Sequence, residues 1–89
     1  MPTLFILNGW KIVMYRSETE EPHFHVYKAG LEYRYRLRDL EQMPTDKYPA
    51  PDGLSRLVRD WGQRNREALD AAWRALQADS QPDKSRFRD

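Results

Sequence analysis

Apolar and polar positions alternate along this chain in a way that separates two β-hairpins from one helix. Thr3 to Arg16, "TLFILNGWKIVMYR", holds two short apolar runs on either side of Asn8-Gly9. Asn-Gly suits a type I′ turn, in which both central residues have positive φ. Such a turn predicts Leu7 opposite Trp10, Phe5 opposite Ile12 and Thr3 opposite Met14. The other face carries Leu4, Ile6, Val13 and Tyr15, with Lys11. Both faces are largely apolar, as expected of a hairpin that is central in a sheet or covered on both sides.

A polar, acidic link, "SETEEP", runs from Ser17 to Pro22. "HFHVYK" and "LEYRYRLR" follow, joined by Ala29-Gly30. In the second run Leu31, Tyr33, Tyr35 and Leu37 alternate with Glu32, Arg34, Arg36 and Arg38, the period of a half-buried strand. Phe24 and Val26 must share one buried face with Tyr33, Tyr35 and Leu37. An even-residue loop achieves this by pairing Val26 with Tyr33 and Phe24 with Tyr35. It also sets His25 opposite Arg34, His23 opposite Arg36 and Tyr27 opposite Glu32, with opposed Cβ atoms about 4.5–5.5 Å apart. A three-residue loop with Gly30 as a bulge is the alternative that would break this register.

Three prolines interrupt Asp39 to Gly53, "DLEQMPTDKYPAPDG". That length suits a short helical turn or a mobile segment. From Leu54 on, Leu57, Val58, Trp61, Ala68, Leu69, Ala72 and Leu76 recur at helical spacing. Asp52 or Ser55 would cap the helix start. Gly62 weakens the helix by roughly 1 kcal/mol relative to Ala. Asn65 is the polar exception on the apolar face. The predicted fold is α+β: one domain over residues 1–78, an antiparallel sheet of about four strands in two hairpins packed against one long C-terminal helix. Residues 79–89 are predicted to be a polar, disordered tail.

Composition narrows the chemistry. The chain has 89 residues, of which 39% are hydrophobic and 33% charged, with net charge +1 and no cysteine. Disulfides and thiolate metal sites are excluded. A domain this small gains from a partner chain, and a homodimer would supply one. No apolar run approaches the roughly 20 residues needed to span a bilayer, so no membrane role is expected. The start has no basic region before its apolar stretch, and a cytoplasmic protein is predicted.

The outer face of the second hairpin gathers the candidate site: His23, His25, Tyr27, Glu32, Arg34 and Arg36. A metal would need a third ligand from Glu20, Glu21 or Glu32, and the opposed arginines repel a cation, so no metal and no other cofactor is expected. Arg34, Arg36 and Tyr27 suit phosphate, because guanidinium forks bind it in bidentate fashion. Neutral imidazole is favoured beside those charges, so His23 and His25 could serve as acid and base on an RNA 2′-hydroxyl without a metal. The competing structural expectation has His23 bonded to backbone near Pro22 and His25 stacked on Tyr or Arg neighbours. Asn65, with Arg66 beside it, either satisfies buried backbone groups or positions a ligand. Trp61 and Trp73 read as packing residues.

These residues resemble a family. The short hairpin, "MYRSETEEPHFHVYKAG", the alternating "EYRYRL" and the helix with "NREALDAAW" are similar to the small bacterial proteins called domain of unknown function 4160. The resemblance covers about Met1 to Ala78. Its motif positions fall on Pro22, His23, His25, Gly30, Asn65, Arg66 and Trp73. Glu21 departs from the usual proline pair, and Phe24 replaces a smaller aliphatic residue. Members often lie beside a second small protein in arrangements resembling toxin–antitoxin modules. The resemblance implies a cognate small protein partner, antitoxin or toxin, and RNA or DNA as a target. Two functions follow as expectations. One is a component of such a pair that acts on or binds nucleic acid through the His/Arg face, with ribonuclease activity as its sharper form. The other is a non-catalytic module that binds the cognate partner.

Overall fold

Asn8 and Gly9 take φ of 48° and 83°, and so fold the first hairpin tightly. Its strands are β1 (Thr3–Leu7) and β2 (Trp10–Val13). The computed structural model describes residues 3–16 and 19–89. Ala29 and Gly30 take φ of 50° and 85°, so the second hairpin also closes through a two-residue turn, although Ala carries a Cβ. It joins β3 (His23–Lys28) to β4 (Leu31–Arg36). The four strands form one antiparallel sheet in the order β1-β2-β3-β4.

The register of the second hairpin is the one that the alternation predicts: Phe24 faces Tyr35, Val26 faces Tyr33, His25 faces Arg34 and His23 faces Arg36. The first hairpin departs from expectation at one end. Leu7 faces Trp10 and Phe5 faces Ile12, but Thr3 faces Val13 rather than Met14. An irregularity between Thr3 and Phe5 shifts the pairing by one residue, as a bulge does, and Leu4 there joins the core.

Two helices close one face of the sheet, where a single long helix was expected. They are α1 (Asp52–Arg64) and α2 (Arg66–Gln77), and Asn65 between them leaves helical geometry at φ −119°, ψ 24°. The Asn65 amide donates to the Trp61 carbonyl at 2.9 Å, which competes with continuation of the helical ladder. Neither Asp52 nor Ser55 caps α1 through its side chain; the Ser55 hydroxyl bonds Tyr35 instead. Trp61 is fully buried at the centre, with its ring 5.5 Å from that of Phe5 and 6.3 Å from that of Phe24. Gly62 has a packing reason: a Cβ there would lie 2.7 Å from a methyl of Leu40.

The proline-rich segment after β4 is neither a helical turn nor a bare loop. It doubles back along β4, with Arg36 N–H bonding the Glu41 carbonyl and Met43 N–H the Arg34 carbonyl, both near 2.9 Å. Gln42 holds its return through bonds to Asp46, Tyr48 and Ala50. This strip satisfies the outer edge of β4. β1 lies at the opposite edge of the sheet.

Residues 79–89 also differ from the expected free tail. They fold back on the helix junction, where Lys84–Arg86 form a 3-10 turn and Phe87 is buried. The Phe87 ring stacks on Trp61 at 5.8 Å and 12°. Phe87 anchors the segment together with the hydrogen bonds that Trp61 and Asn65 make to the main chain of Arg88.

Candidate functional site

Strand period two puts His23, His25 and Tyr27 on the face of β3 opposite Phe24 and Val26. Cross-strand pairing extends this outer face in rows. One row is Ile6, Lys11, Tyr27 and Glu32; the next is Thr3, Val13, His25 and Arg34. A cleft of about 290 Å³ lies over them, lined by Thr3, Lys11, Val13, Tyr15, Tyr27 and Glu32. Lys11 and Tyr15 therefore belong to the site, although neither was a candidate from sequence. The turn at Asn8-Gly9 contained the signal, since it sets Lys11 on the face that β3 extends.

The two imidazoles differ in setting. Their rings are 5.1 Å apart. His23 is only 1% exposed; its Nδ1–H donates to the Glu21 carbonyl at 2.8 Å, and its ring lies 5.9 Å from Trp73. His25 donates from Nδ1 to the Glu32 carboxylate at 2.9 Å, and Tyr15 meets its ring edge-on at 4.6 Å. Both bonds require a proton on Nδ1, because a carbonyl and a carboxylate oxygen can only accept. Both Nε2 atoms are buried.

The strand arginines share the face but are held by carboxylates of the same chain. Arg34 donates from Nε to Asp46 at 2.8 Å, from Nη1 to Glu20 at 2.9 Å and from Nη2 to Thr45 at 2.7 Å. Its main-chain N–H adds a second bond to Asp46. Arg36 pairs with Asp39 and Arg38 with Glu21, each at 2.9 Å. Burial alone would raise the Asp46 pKa. The Arg34 main-chain N–H, its guanidinium and the Gln42 amide outweigh that, and hold the carboxyl below its ordinary range. In return the bond to Asp46 raises the Arg34 pKa, against the effect of burial. Asp46 had no sequence signal, since it reaches Arg34 from twelve positions away through a loop without periodicity.

Tyr27 remains 40% exposed, at the mouth of the cleft. Asn65 and Arg66 lie elsewhere, at the helix junction. The buried Asn65 amide bonds main-chain groups of Trp61 and Arg88. Arg66 donates to the Leu37 carbonyl and so ties α2 to the end of β4. Among the described residues no three acidic or histidine side chains gather as a metal site, and no helix is long and apolar enough to cross a membrane.

Fold and face together define a small α+β protein with an antiparallel sheet closed by helices on one side and by ion-paired side chains on the other. Residues 9–74 match the family described as Domain of unknown function (DUF4160), and the chain belongs to that family. Comparison with curated proteins and with solved structures gives no match.

Proposed function

We propose that the chain is a non-catalytic interaction module, the partner-binding component of a toxin–antitoxin-like pair in the bacterial cytoplasm. One observation carries this reading: Arg34, Arg36 and Arg38 each pair with a carboxylate of the chain itself. A phosphate would have to displace Asp46, which holds Arg34 by two bonds. The same face offers what a protein surface uses: an exposed Ile6 and Tyr27 in one cross-strand row, with Lys11 and Glu32 as polar neighbours. Ile6 sits on β1, at the sheet edge, where a partner strand can add by main-chain bonding.

Co-expression with the product of the adjacent gene tests this. The two proteins should co-elute in fixed ratio, and Ile6→Lys with Tyr27→Ala should separate them while this chain keeps its circular dichroism spectrum. Co-elution untouched by those substitutions would move the interface elsewhere, and no association at all would end the reading.

The nucleic-acid reading keeps one supporting feature. His25 is oriented by Glu32 at 2.9 Å, the way a carboxylate sets an imidazole for proton transfer. In that version His23 and His25 act as acid and base, and Arg34, Arg36 and Tyr27 hold phosphate once Glu20, Asp46 and Asp39 have moved. RNA cleavage that His25→Ala and His23→Ala each abolish would establish it in place of the first.

A further inference from the structure

We infer that the cavity between the start of β3, the end of β4 and α2 is a docking site for a peptide segment of a partner protein, one that presents an apolar side chain beside a single carboxylate. The cavity measures about 350 Å³. Ligand pockets span roughly 300–1,000 Å³, so this one suits a single side chain with its main-chain neighbours rather than a larger molecule. Its apolar wall is Pro22, Leu37 and Trp73. Leu37 is buried and Pro22 is exposed. Trp73 is half-buried, packed against the core and with its ring 5.9 Å from that of His23.

The charged lining decides what sits beside that side chain. Arg66, Asp70 and Arg74 recur every fourth residue and form one stripe along α2. Arg66 donates to the Leu37 carbonyl, which holds its guanidinium at the cavity. Asp70 and Arg74 make no ion pair and no side-chain hydrogen bond among the described residues. On the sheet side Arg38 and Glu21 satisfy each other at 2.9 Å. Two guanidinium groups of α2 against one carboxylate leave one positive charge for a ligand to meet. The outer-face arginines differ, because the carboxylates that pair with Arg34 and Arg36 are already in place. One ligand carboxylate matches the remaining charge. A phosphate monoester, at about −1.5 to −2, exceeds it and is repelled by Asp70. Asp70 instead suits a peptide N–H, which a carboxylate oxygen can accept. Pro22 precedes β3 and Tyr27 is its fifth residue, so the cavity is separate from the row of Ile6 and Tyr27 and can hold a segment whether or not that row is an interface.

Nuclear magnetic resonance of the full chain tests the site, with acetyl-Glu-Phe-amide as the probe. The peptide should shift the Trp73 indole N–H saturably and leave the buried Trp61 indole N–H, which bonds the Arg88 carbonyl, unmoved. Acetyl-Gln-Phe-amide lacks the charge and acetyl-Glu-Ala-amide lacks the ring, and each should bind about fivefold more weakly or worse. Arg74→Gln changes an exposed position without an ion pair, so the fold should be unaffected. It should weaken acetyl-Glu-Phe-amide by about fivefold and leave acetyl-Gln-Phe-amide unchanged, which separates a contact with the carboxylate from a general loosening. No saturable shift of Trp73 would overturn the site, as would an equal loss of both peptides on Arg74→Gln. Adenosine monophosphate binding more tightly than acetyl-Glu-Phe-amide would overturn the peptide assignment in favour of a phosphate ligand.

Discussion

The two faces of β3 are closed by different physics. On the inner face Phe24 and Val26 are fully buried under Trp61 and the helices. On the outer face His23 is almost as buried and the His25 side chain is only 12% exposed, yet polar groups surround them. Apolar packing closes the first and is indifferent to charge. Hydrogen bonds and ion pairs from Glu20, Glu21, Glu32 and Asp46 shape the second. The difference teaches that a face rich in arginine and histidine can be internally neutralised rather than open to an anion.

The inner face should break most expensively. Trp61→Ala removes the ring that meets Phe5, Phe24 and Phe87, and should cost about 3–5 kcal/mol in chemical denaturation. On the outer face Asp46→Ala strips two bonds from Arg34 and one from Gln42, and should cost about 2 kcal/mol. A cost near zero for Asp46→Ala would mean that ion pairing does not hold that face closed.

Acid separates the faces more gently. The Asp46 pKa is lowered on folding, so its contribution is present above the ordinary carboxylate value and is lost as pH falls through its folded value. Denaturation midpoints should therefore be steady near neutrality and drop below about pH 4, and Asp46→Asn should flatten part of that drop. The smallest effect belongs to the exposed end of the network. Glu20→Gln should cost less than about 1 kcal/mol, because Glu20 is 45% exposed and water screens the pair.

Local pattern carried much of this structure. The alternation of Tyr33, Tyr35 and Leu37 with arginines fixed the second hairpin's register, because one slip would have put those rings in water. Asn8-Gly9 announced the first turn by its backbone demand alone. What stayed hidden was set by contacts distant in sequence. The Thr3–Phe5 irregularity brings Leu4 into a core that no local pattern describes. Asn65 reads as a helical position until Arg88 arrives to take its amide. The same holds for the site: the pattern placed histidines opposite arginines, but Asp46, Asp39 and Glu20, which neutralise those arginines, come from loops with no period to read.

The central claim is that the outer face meets protein rather than phosphate. The most direct test follows backbone and Arg Nε–H resonances of the full chain while single-stranded RNA and then the adjacent gene product are added. The prediction is that RNA leaves Arg34 and Arg36 unmoved and that the partner shifts Ile6, Lys11 and Tyr27. RNA that shifts Arg34, Arg36 and His25 together, with the partner leaving the row at Ile6 unmoved, would contradict it.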